Sequence, residues 1–161
     1  MLRILSLAAV LLAAAGTIAS AAEPTAPSVD YGKTVSIVGG CHDCHTVGYG
    51  ESGGKIDPAT ALKGNPVGYG GPWGVNYAKN LRIDASKMTE DDWVNFLKTF
   101  TVGPPMPWYN VHAFTEAEMR SLYQYIKSLG EPGDPVPADV PPGGKVTTPY
   151  VDLGTPIMPK G

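Results

Sequence analysis

The sequence predicts a mostly α domain in which a few helices are wrapped, with long loops, around something other than protein. Three observations lead there. Glycine and proline are abundant, 20 and 16 of 161 residues, so much of the backbone must be irregular. The region 46–88 is rich in glycine and shows neither a helical nor an alternating period; an ordered loop of that length in a small domain is usually functional or folded about a ligand. Two strongly periodic amphipathic segments follow it, which gives helices enough for one modest core.

Residues 1–22 read as an export signal: Arg3 supplies the positive end, Ile4 to Ala15 the apolar stretch, and Ala19-Ser20-Ala21-Ala22 a small-residue cleavage site. Cleavage leaves no membrane span and exports the mature chain to a compartment where disulfides can form; an uncleaved anchor is the alternative. Residues 23–29 form a polar linker. From Asp30, as N-cap, a short helix is expected with Tyr31, Val35 and Val38 on one face, stopped by Gly39-Gly40.

After the long loop, Thr89 is an N-cap followed by Glu90, Asp91 and Asp92, which suit the positive end of a helix dipole. Trp93, Phe96, Leu97 and Phe100 mark the apolar face of that helix. The next helix opens on a capping box, Thr115 and Glu118, and carries Met119, Leu122, Tyr123, Ile126 and Leu129 before Gly130 ends it. Residues 131–161 hold eight prolines and predict an extended tail, either draped over the domain or disordered. The organisation is therefore signal 1–22, linker 23–29, domain 30–130 and extension 131–161.

The formal charge of −3 and the lack of basic clusters exclude a nucleic-acid binder. Two cysteines exclude a disulfide-rich scaffold, yet two thiols three apart in an exported chain need a purpose. Cys41-His42-Asp43-Cys44-His45 is a Cys-x-x-Cys-His motif. Cys41 and Cys44 can add across the two vinyl groups of one haem, and His45 then sits beneath the iron as an axial ligand, with His42 and Asp43 free to vary. The alternatives are a zinc site completed by His112 with His42 or His45, a thioredoxin-like redox pair without its usual βαβ context, and a plain disulfide. Export and the loop-rich composition favour haem.

For the sixth iron position, Met106 stands out among Met88, Met106, Met119 and Met158. It lies in Gly103-Pro104-Pro105-Met106-Pro107-Trp108, whose prolines stiffen the loop and forbid a helix through it. Met119 belongs to a core stripe, Met88 precedes an N-cap and Met158 is in the tail. His112 is the rival ligand.

With Cys41-His42-Asp43-Cys44-His45, Pro105-Met106-Pro107-Trp108 and Tyr125-Ile126-Lys127-Ser128-Leu129, residues 30–130 resemble the class I cytochromes c. Gly71-Pro72-Trp73-Gly74 and Tyr77-Ala78-Lys79-Asn80-Leu81-Arg82 are similar to the monohaem bacterial branch related to cytochrome subunits of periplasmic dehydrogenases. The resemblance implies a helical fold about one covalent haem c, with first and last helices crossing where Gly32 meets Leu122 and Tyr125. It implies His45 and Met106 as iron ligands, Pro58 as the carbonyl that orients His45, and Arg82, Trp73 or Tyr77 as propionate contacts. The function implied is periplasmic electron transfer, not catalysis, between an upstream dehydrogenase and a downstream cytochrome or oxidase. The alternative is a haem enzyme or gas-binding sensor with an open sixth position.

Overall fold

Helix α1 (Val29–Val38) and helix α6 (Glu116–Ser128) form the most extensive helix pair of the computed structural model, which describes residues 26–154 and Pro159. A Cβ built on Gly32 would lie 1.9 Å from the Ser121 carbonyl oxygen and 2.8 Å from Tyr125 Cβ. Only glycine permits this backbone contact, which falls on Ser121 and Tyr125 rather than on Leu122. The same close approach turns Gly32, Val35 and Ser36 inward and leaves Val38 82% exposed, so the expected face of Tyr31, Val35 and Val38 holds only in part. The N-cap is Ser28, not Asp30. The Ser28 hydroxyl accepts from Tyr31 N, and its own N–H donates to Ser121 Oγ, so the cap is tied to the partner helix.

Between these helices run α2 (Cys41–His45), strands β1 (Gly68–Gly71) and β2 (Gly74–Asn76), α3 (Leu81–Ser86), α4 (Glu90–Thr99) and α5 (Trp108–Val111); β3 (Tyr150–Asp152) follows α6. Both long helices of the second half carry reciprocal capping boxes, Thr89 with Asp92 and Thr115 with Glu118. Trp93, Leu97, Met119, Leu122 and Ile126 join Leu62 and Val35 in one core. Tyr123 and Leu129 sit at its margin, while Tyr125 is inside.

Region 46–88, expected to be a long ordered loop with at most one short turn, contains the β1–β2 hairpin and helix α3, capped by the Asn80 side chain. The strands are short and mostly glycine, so they show no alternation. The glycines are needed for packing: a Cβ on Gly68 would meet Val75 Cγ1 at 2.3 Å, and one on Gly70 the Tyr150 ring at 2.6 Å.

The extension is draped over the domain through residue 154. β3 pairs parallel to β1 in a sheet of order β2-β1-β3. Val140 and Val75 exchange backbone hydrogen bonds at 2.8 Å each. The export signal, the first three residues of the linker and Met158 lie outside the described residues. Among the described residues no helix is long and apolar enough to cross a membrane.

Candidate functional site

Helix α2 begins abruptly because Gly40 is left-handed, at φ 69°. A Cβ on the preceding Gly39 would strike Phe114 Cζ at 2.7 Å and the Val35 carbonyl at 2.8 Å. Two glycines thus set one turn of helix against the end of α1, and that turn holds Cys41, Cys44 and His45 on the wall of a cavity of about 450 Å³. The volume suits a single small-molecule or cofactor ligand. Much of the remaining wall is apolar, including Leu81, Leu97, Phe100, Phe114 and Leu122.

His45 is buried, and its Nδ1 lies 2.7 Å from the Lys79 carbonyl. A carbonyl only accepts, so Nδ1 carries the proton. Burial also pushes the ring's pKa down, which favours the neutral form with its lone pair on Nε2, as a metal ligand requires. The orienting carbonyl is Lys79, not Pro58. The Pro58 carbonyl instead receives the Arg82 guanidinium. Arg82 is buried and also donates to the carbonyls of Ala61, Leu129 and Glu131. It is a structural clamp tying α3 to the start of the extension, and it is not on the cavity wall. Trp73 is not on the wall either; its indole donates to Tyr69 O at 3.2 Å. Tyr77 does line the cavity, its hydroxyl paired with Thr148.

Met106 lines the same cavity, half-buried against the core. Its loop is fastened to β2 by a hydrogen bond from Asn76 Nδ2 to the Pro104 carbonyl. Met119 is fully buried within α6, and Met88 packs on the core with its carbonyl accepting from Tyr123; neither reaches the wall. His112 is turned away, its Nε2 2.9 Å from the Phe100 carbonyl and its ring packed on Trp108. That carbonyl makes Nε2 a donor, so His112 offers no free Nε2 lone pair to a metal.

Other chemistries fit poorly. Both cysteines are free, and burial pushes the Cys41 thiol up to about 12. A neutral thiol is neither a ready zinc ligand nor a reactive redox nucleophile. Among the described residues no three His, Cys, Asp or Glu side chains converge to hold a metal ion. Trp93, also on the wall, has a buried indole N–H without a hydrogen-bond partner among the described residues. A site completed by protein alone would rarely leave such a donor unpaired. Two free thiols, a histidine of fixed tautomer, a thioether and an apolar wall form a donor set that fits haem c.

His42, expected to be free to vary, is fully buried at 0% exposure. Its Nε2 lies 3.1 Å from Ser36 Oγ, which donates its proton to Lys33 O, so Nε2 must donate. Nδ1 then accepts from Thr46 Oγ1 at 2.8 Å, and that oxygen in turn accepts from Leu62 N. This network joins α1, the motif and the following loop. Nothing in the pattern of the motif could reveal it, because both partners lie outside the pentapeptide.

The network requires neutral His42, whose pKa burial pushes down to about 4 from 6.5. The unfolded chain takes up a proton that the fold resists, so this contribution is complete above pH 6.5 and lost as pH falls towards 4. The shift is worth about 3 kcal/mol at most. Urea unfolding of native and His42→Asn protein between pH 7 and pH 4 should show a pH-dependent loss that the variant lacks. Parallel curves would remove His42 as its source.

The family model described as cytochrome c matches residues 29–130 of this chain. Neither a search of curated proteins nor one of solved structures finds a match.

Proposed function

Because the chain belongs to the cytochrome c family, and so binds haem and takes part in electron transfer, we propose that it is an exported, periplasmic one-electron carrier, not an enzyme, with His45 and Met106 as axial ligands. The observation that carries this is the meeting of Cys41, Cys44, His45 and Met106 on one largely apolar cavity. When bound, haem supplies the reversible one-electron couple of its iron.

The residues of the chain do the rest. Cys41 and Cys44 would hold the haem as thioethers, each sulfur bonded to one vinyl carbon and its proton to the other, with no change of oxidation state. His45 presents Nε2 to the iron because Nδ1 is committed to Lys79 O. Met106, on a proline-stiffened loop of the same cavity wall, would hold the iron through its thioether and leave no place for a substrate. A thioether favours the reduced iron more than a second imidazole would, and so raises the potential. The apolar walls exclude water, and the fixed ligands keep the geometry similar in both oxidation states. The partners on this reading are redox proteins, a dehydrogenase upstream and a cytochrome or oxidase downstream, met through small transient contacts.

Optical spectra of the exported protein, oxidised and reduced, together with acid–acetone extraction, test this directly. Low-spin bands, a methionine-to-ferric charge-transfer band and haem that resists extraction are expected. Extractable haem would refute covalent attachment, and a high-spin spectrum would refute a closed iron and favour an enzyme or gas sensor.

A further inference from the structure

The carbonyl that orients His45 belongs to a stretch, residues 77–80, that is neither helix nor strand. The C-terminal extension braces it. Asp139 Oδ1 accepts from Tyr77 N at 2.9 Å and from Lys79 Nζ at 2.7 Å, so one carboxylate spans the residues on either side of Ala78. Asn80 Nδ2 donates to the carbonyls of Pro132 and Asp134 at 2.8 and 3.0 Å. Asp139 is itself held in place by its neighbour, since Val140 exchanges backbone hydrogen bonds with Val75. Asp139 also lies on the wall of the cavity.

We propose that the extension is a positioning strap in which Asp139, acting through the backbone from Tyr77 to Lys79, keeps the Lys79 carbonyl on His45 Nδ1 and thereby sets how strongly His45 donates to the iron. The proposal rests on His45 being an axial ligand. A half-exposed ion pair such as Lys79–Asp139 adds little to global stability. Its effect here is local, because it fixes an acceptor that the irregular chain would otherwise leave loose. A firm Nδ1–H···O=C bond makes the ligating nitrogen more basic, which favours the more positive, oxidised iron. The carboxylate on the wall acts in the same direction. Asp139 therefore lowers the midpoint potential, and its removal raises it.

The test uses the full-length holoprotein as native, Asp139→Ala, Asp139→Asn and Tyr150→Ala forms. It reads the midpoint potential by spectroelectrochemical titration and the solvent exchange of the His45 Nδ1 proton by NMR. In Asp139→Ala the potential should rise and exchange should quicken by about tenfold, the factor for one lost charge-assisted hydrogen bond. Asp139→Asn keeps an oxygen for Tyr77 N and should protect the proton better than alanine does. Tyr150→Ala loosens the far end of the extension and should leave both readings as in the native protein.

Unchanged exchange in Asp139→Ala overturns the proposal, as does an equal change in Tyr150→Ala. If Asp139→Ala fails to assemble, Lys79→Gln removes the same ion pair and keeps the carbonyl; native exchange rates in that variant overturn it too. A native His45 ring proton without a haem-induced shift would remove the ligand assignment and the strap with it, whereas a shifted proton with unaltered exchange overturns the strap alone.

Discussion

Replacing Met106 by alanine should abolish the methionine-to-ferric charge-transfer band and let cyanide or azide bind the ferric iron more readily than in the native protein. The expectation rests on placement. Of the methionines among the described residues, only Met106 lies on the wall that carries Cys41, Cys44 and His45. Its truncation should leave the position open to added ligands, since neither His112, held by the Phe100 carbonyl, nor His42, held by Ser36 and Thr46, lies on the cavity wall. The midpoint potential should fall as well, because water or hydroxide stabilises ferrous iron less than a thioether does. Redox titration and ligand-binding titrations of the two proteins measure these effects. An unchanged spectrum would reject Met106 as the sixth ligand.

Gly32→Ala should destabilise the protein by about 3 kcal/mol or more, the upper part of the range for overpacking. In an exposed helix the same change would stabilise by about 1 kcal/mol, because alanine is the better helix former. Here the added methyl would stand 1.9 Å from the Ser121 carbonyl oxygen. That atom is backbone and cannot rotate aside, so α1 and α6 must separate. Their separation also disturbs the haem site, since α1 carries Ser36, the partner of His42, and leads through Gly39 and Gly40 into the motif. Denaturant unfolding compares the two proteins. A variant as stable as the native one would show that these helices do not need to touch.

Much of the site was legible in the sequence, because its chemistry is local. Cys41, Cys44 and His45 fall within five residues, and Met106 is framed by prolines that announce a stiff loop. The two capped helices were legible for the same reason: a cap and an apolar stripe repeat within a few residues of each other. Other features were not. Glycine in β1 reads as loop until Val75 and the Tyr150 ring are seen to fill the space above it. The carbonyl partner of His45 was expected at Pro58, the nearer loop, yet Pro58 is taken by Arg82 and Lys79 supplies the bond. No residue type marks a carbonyl, since every residue has one.

The sequence alone thus pointed to a haem protein and to the main helices, because both signals depend on side-chain identity at short, fixed spacing. Only the tertiary structure decided which carbonyl holds the ring of His45, why His42 is buried, and that the extension returns to brace residues 77–80. Those outcomes depend on backbone atoms and on contacts between residues as far apart as Tyr77 and Asp139. Packing selects such contacts from many that the same residues could make, and no local pattern records the choice.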